Sequence, residues 1–162
     1  MSRPDGPIVV GVSPSTGSPA ALRWAADEAR LRATRVRAVM AWRPPRAPAA
    51  PAGRPPATVV SVSGTDYGAV ADEKLRRLVA AALGAGDAVE CQAVRGNAVT
   101  ALLAAARDAQ LVVVGEPQAG RLATVRTSLI APLLIAQAPC PVVAMPNAFA
   151  AKRGGRVAGT SK

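Results

Sequence analysis

Between residues 111 and 132 the chain reads LVVVGEPQAGRLATVRTSLIAP. An apolar run leads into Gly115, a second glycine follows at Gly120, and hydroxyl residues ending in Ser128 stand before the next apolar segment. Residues of these types at a strand-to-helix turn can cradle a phosphate. Glycine lets backbone amides approach the oxygens, and a hydroxyl at a helix start adds a donor where the dipole favours an anion. Other residues in the same stretch oppose that chemistry. Glu116 places a negative charge beside the first glycine, Pro117 and Pro132 remove backbone donors, and Gln118 stands where a tight loop favours glycine.

The rest of the chain offers little alternative chemistry. No histidine occurs among the 162 residues, which removes His-assisted nucleophiles and imidazole metal ligands. Cys91 and Cys140 are lone residues without metal-ligand spacing and are expected to be buried structural thiols. No pattern of paired carboxylates suggests acid–base work. The expectation is a protein that is not an enzyme and holds no metal.

A formal net charge of +10 raises the question of nucleic acid. Arg23, Arg30, Arg32, Arg35 and Arg37 lie on or just after one predicted helix, among Asp27 and Glu28, and Lys152, Arg153, Arg156 and Lys162 lie near the C-terminus. This pattern reads as a solvated helix face followed by a disordered basic tail. With only four aromatic residues there is no stacking platform, so charge alone would supply salt-sensitive, nonspecific attraction. A basic nucleic-acid-associated module is therefore the outlying alternative.

These residues must be positioned by a layered fold. Half of the residues are apolar and alanine is abundant, so helices faced with small side chains should pack closely on Val-rich strands. Ile8 to Val12 is a β-branched run suited to a buried parallel strand. Ser18 before Pro19 reads as a helix N-cap, and Leu22, Ala25, Ala26 and Ala29 recur at helical spacing. A second strand is expected from Val36 to Trp42. From Arg43 to Gly64 the pattern dissolves into a Pro/Ala/Arg-rich connection, in which Val59, Val60 and Val62 could form a short extended piece. Thr65 or Asp66 then caps a helix with Val70, Leu75, Leu78, Val79 and Ala82 on its apolar face and Gly84 at its end.

A third strand is expected near Val89 to Val94. Asn97 caps a helix bearing Val99, Leu102, Leu103 and Ala106 on one face, and Leu111 to Val114 is the most apolar strand. A last helix is expected over Leu133 to Gln137, with Pro132 disrupting or delaying its first turn. Prolines bracket a final strand, Val142 to Met145, and residues 147–162 lose all periodicity. Five strands alternating with helices imply an α/β fold with a parallel, doubly wound sheet and helices on both faces. MSRPDG lacks an apolar signal core, and no apolar run approaches the roughly 18 residues of a membrane span, so the expected location is cytoplasmic, without membrane contact.

IVVGVSPSTGSPAALRWAADEARLRATRVRAVMAW, VRGNAVTALLAAARDAQLVVVG and APCPVVAMP, in this order and spacing, resemble the universal stress protein family. The resemblance covers residues 7–146 as one domain, between a flexible N-terminus at 1–6 and a disordered tail at 147–162. It implies a five-stranded sheet in the order 3-2-1-4-5, a homodimer and, in one branch of the family, bound ATP. It also implies cysteines on opposite edges of the sheet.

The ATP-binding branch carries Gly, two residues, Gly, nine residues, Gly and then Ser or Thr after the fourth strand. A gapless register places Gly115, Gln118, Ser128 and Leu129 at those positions, so only the first glycine matches, and Gly120 matches a frequent family glycine outside that spacing. Ser13 stands where ATP-binding relatives carry an acidic residue, and Pro14 where they carry glycine. Ser13, Gly115, Gln118, Gly120, Ser128 and Leu129 thus mark a degenerate nucleotide site. The expected function is a non-catalytic stress-response or regulatory protein with weak or absent ATP binding and no obligatory cofactor. An ATP-binding switch of the same family is the alternative, in which Arg121 or Arg126 could pair with phosphate. Expected partners are an unidentified regulatory protein and a second copy, which pairs through the apolar edge strand Val142, Val143, Ala144 and Met145.

Overall fold

The computed structural model describes residues 5–14, 18–45, 65–84, 88–115 and 129–146. The expected pieces at Val59, Val60 and Val62 and at residues 147–162 lie outside them, as do Gln118, Gly120 and Ser128. Five strands form one parallel sheet: β1 Ile8–Gly11, β2 Val36–Trp42, β3 Val89–Arg95, β4 Leu111–Gly115 and β5 Val142–Met145. Their order is β3-β2-β1-β4-β5, as the resemblance implied. The order reverses between β1, paired to β2 on one side, and β4 on the other.

Helices cover both faces. α1 (Pro19–Leu31) and α2 (Tyr67–Leu83) bury Leu22, Ala25 and Leu75 with Ile8, Val10 and Met40 on one face. α3 (Ala98–Ala105) and α4 (Ile130–Gln137) bury Leu102 and Leu134 with Val9, Val112 and Val114 on the other. Strand alternation sorts neighbouring residues between the two cores, and β1 and β4 are buried from both sides, which is why they read as continuous apolar runs.

Local chemistry sets the helix ends. Asp66 accepts hydrogen bonds from the amides of Gly68 and Ala69, and Asn97 accepts one from Val99. Gly84 ends α2 at φ 83°. After α1 the Thr34 amide donates to the Ala29 carbonyl and the Ala33 amide to that of Arg30, a Schellman closure with Ala33 at φ 50°.

Three expectations are corrected. Val70 is 56% exposed; the buried stripe of α2 runs through Ala71, Leu75 and Val79, one position round the helix. α4 begins at Ile130, so Pro132 occupies the third helical position. The amides of a first turn have no intrahelical acceptor, so a proline there sacrifices no bond and does not delay the helix. Ser18 is the N-cap of α1, but it adopts a left-handed conformation at φ 47° and its hydroxyl makes no cap bond.

Candidate functional site at the sheet crossover

The strand order reverses between β1 and β4, which leaves a crevice at their C-terminal ends, the usual ligand position in an open α/β sheet. A cavity of about 120 Å³ lies in it. Its walls are Gly11, Val12, Ser13 and Pro14 from β1 and the following loop, Val39 and Ala41 from β2, Val114 and Gly115 from β4, and Ser18, Ala98, Leu102 and Ile130 from the helices. Small residues create the space: a Cβ on Gly11 would lie 3.1 Å from both Leu102 and Val114.

The polar groups facing the cavity partly satisfy one another. Ser18 is 9% exposed, and its hydroxyl accepts a 3.3 Å hydrogen bond from the Ser13 amide. Its left-handed backbone turns that hydroxyl to the strand loop instead of to the helix amides. A Cβ on Gly115 would lie 3.2 Å from the Ser18 Cβ and hydroxyl, so the missing side chain admits Ser18 at the end of β4. Gly115 therefore has a packing role without any phosphate.

Two of the sequence-derived site residues, Ser13 and Gly115, line the cavity. Leu129 does not; it is 68% exposed at the start of α4, and its neighbour Ile130 faces inward. The wall residues Ala41, Ala98 and Leu102 went unrecognised as site residues, since alanine and leucine at core spacing carry no chemical signal. Among the described wall residues none is charged, and hydroxyls come from Ser13 and Ser18 alone. The volume resembles the roughly 150 Å³ of a dry cavity that admits one benzene ring, below the about 300–1,000 Å³ of most ligand pockets. The described walls place no cation against a triphosphate.

The arginines near α1 are engaged elsewhere. Arg30 pairs with Asp27 at 3.0 Å, Arg32 with Glu28 at 2.6 Å, and Arg23 donates to the Ala82 carbonyl at 3.0 Å. Arg37 lies in β2 with its side chain 11% exposed, and its Nη1 donates to both Asp108 oxygens at 2.9 and 3.1 Å. Its Nε lies 3.1 Å from Glu90 Oε1 without hydrogen-bond alignment, so that contact is an ion pair only. Burial pulls the Arg37 pKa down, but Asp108 and Glu90 outweigh it and the net direction is upward. None of these arginines lines the cavity.

The family model for universal stress proteins matches residues 6–146. The chain belongs to the universal stress protein family. A crystal structure of a universal stress protein in complex with cAMP has a TM-score of 0.53 at 23% identity, covering 88% of this chain and 98% of that one. The universal stress protein from Archaeoglobus fulgidus gives 0.50 at 22%, covering 86% and 92%, and UspA from Lactobacillus plantarum gives 0.50 at 15%, covering 85% and 97%. No curated protein matches. These likenesses establish the fold.

The remaining chemical groups of this universal stress protein are quiet. Both cysteines are free; Cys140 is buried, whereas Cys91 is only half-buried, a correction to the expectation for that thiol. Burial pushes both thiols above their ordinary range, disfavouring the reactive thiolate. Cys91 lies in edge strand β3 and Cys140 just before the opposite edge strand β5. Among the described residues no cluster of three potential metal ligands occurs, and no helix is long and apolar enough to cross a membrane.

Proposed function

We propose that this universal stress protein is a non-catalytic regulatory homodimer of the cytoplasm, acting on a protein partner, with weak or absent ATP binding. The observation that carries this reading is the crossover cavity: its described walls are uncharged, and the Ser13 amide is already committed to Ser18. An acidic residue at position 13 could contact a nucleotide, whereas the serine offers a short neutral side chain. The open edge of β5 supports self-association, with Val142 and Val143 half-buried and Ala144 exposed. Mass measurement of natively purified protein tests the reading. The protein should emerge without co-purified nucleotide; a stoichiometric adenine nucleotide would overturn it.

The second reading is an adenine-nucleotide switch. It is favoured by the position of the cavity at the strand reversal and by the cAMP complex of one structural relative. In that reading occupancy alters the surface offered to a partner. A nucleotide titration separates the two readings.

A further inference from the structure

Hydrocarbon dominates the described walls of the crossover cavity. Val12, Val39, Ala41, Leu102, Val114 and Ile130 present only apolar side chains to it. Gly11 and Gly115 widen it from the ends of β1 and β4, where an added Cβ would meet Leu102, Val114 or Ser18 at 3.1 or 3.2 Å.

Ser18 sets one hydroxyl into this apolar surface, on a residue only 9% exposed. A hydroxyl has one hydrogen to donate and two lone pairs to accept with. The Ser13 amide uses a lone pair at 3.3 Å, and among the described residues none accepts the hydrogen. Gly115 keeps that side of the hydroxyl open, because a side chain there would start 3.2 Å from the Ser18 oxygen. The arrangement is held against backbone preference: at φ 47° and ψ 50° Ser18 occupies a region that serine seldom adopts, and it forgoes the cap bond to α1. Strain of this kind concentrates where a side chain is aimed at a ligand.

Resting on the reading that this site does not hold ATP, we propose that the crossover cavity takes an uncharged, largely apolar small molecule bearing a hydrogen-bond acceptor, a carbonyl oxygen or a ring nitrogen, which receives the Ser18 hydrogen. An ionised ligand would lose hydration against these walls and gain no counter-charge from them. A pure hydrocarbon would leave a buried donor unmet. A neutral molecule with one acceptor matches both the apolar walls and the single unspent donor.

Amide chemical-shift titration of the full chain with pyridine and with benzene, near neutral pH where pyridine is uncharged, tests the proposal. The two rings share a shape and differ in one acceptor nitrogen. Pyridine should shift the amides of Gly11, Val12, Ser18 and Gly115 saturably and bind roughly fivefold tighter than benzene, the effect of one hydrogen bond. Ser18→Ala should bring pyridine down to the affinity of benzene. Absence of saturable shifts with either ring would overturn the site, and equal affinities in the wild type, or pyridine binding indifferent to Ser18→Ala, would overturn the acceptor-bearing class of ligand. Should Ser18→Ala fail to fold, the wild-type ratio of the two affinities decides. ATP titrated into the same protein separates the two readings: saturable ATP shifts at these amides would overturn the reading on which the proposal rests, whatever the rings do.

Discussion

At the N-terminal end of the sheet, polar groups and backbone are tightly interlocked. Arg37 lies between Asp108 and Glu90, the Thr34 hydroxyl donates to the Gly6 carbonyl at 2.8 Å, and the Gln110 amide donates to that of Pro7 at 3.0 Å. At the C-terminal end the same strands open onto a cavity walled by glycine, alanine, serine and branched apolar side chains. One end is filled and electrostatically paired; the other is underfilled, and its described walls are neutral. Strand order explains part of the difference, because the reversal between β1 and β4 leaves a crevice at that end. Residue choice explains the rest: Arg37 reaches partners on both sides, while Ala41, four residues along β2, leaves space. The filled end should carry stability and the open end should tolerate change.

The largest effect is expected at Gly6. A Cβ there would lie 2.0 Å from the Asp108 carbonyl oxygen, so Gly6→Ala forces backbone apart and should destabilise by about 3 kcal/mol. Differential scanning calorimetry should show a midpoint roughly 6–12 °C lower. A shift of only a degree or two would mean that this end is more pliant than its geometry implies.

Arg37→Met comes next. It leaves Asp108 and Glu90 facing each other without their shared cation, but those carboxylates are 44% and 38% exposed and can recover water. Their exposure lowers the cost from that of a fully buried pair to about 2 kcal/mol, measurable by urea denaturation. A neutral result would show that the methionine's packing offsets the lost pairing.

These two sites also separate what the sequence disclosed from what it concealed. The continuous apolar runs announced β1 and β4, and the alanine spacing of α1 marked its buried face, because period and composition are local signals. Asp66, Asn97 and Gly84 were legible as helix ends for the same reason. The Arg37 cluster was not read, since Glu90 and Asp108 are brought to it by chain reversal. A signal existed: an arginine within the apolar strand VRAVMAW, in step with inward-facing Val39 and Ala41, calls for a buried counter-charge. Val70 misled because it lies beside the true stripe, and Pro132 misled because a first helical turn has no bonds to lose. At the cavity Ser13 and Gly115 could be read from the sequence, but the bond from the Ser13 amide to Ser18 depends on a left-handed backbone that serine rarely adopts.

A smaller effect of opposite sign is expected at Ala33, which closes α1 near the filled end in a left-handed conformation. Glycine adopts that conformation without the Cβ penalty, so Ala33→Gly should stabilise by about 0.5–1 kcal/mol in the same urea assay. Loss of stability would mean that the Ala33 methyl contributes packing that outweighs its strain.

The smallest effect belongs to the open end. Ala41→Val adds two carbons where the cavity has room, and folding stability should change by less than about 1 kcal/mol in either direction. A loss comparable to that of Gly6→Ala would erase the contrast between the two ends.

The central claim is that the open end does not hold ATP tightly, and isothermal titration calorimetry of the full-length chain with ATP and magnesium tests it most directly. The wild type should show no saturable binding at micromolar concentrations. A variant carrying Ser13→Asp, Gln118→Gly, Ser128→Gly and Leu129→Ser should bind measurably tighter if those positions control the loss. A wild-type dissociation constant in the micromolar range or below would contradict the account.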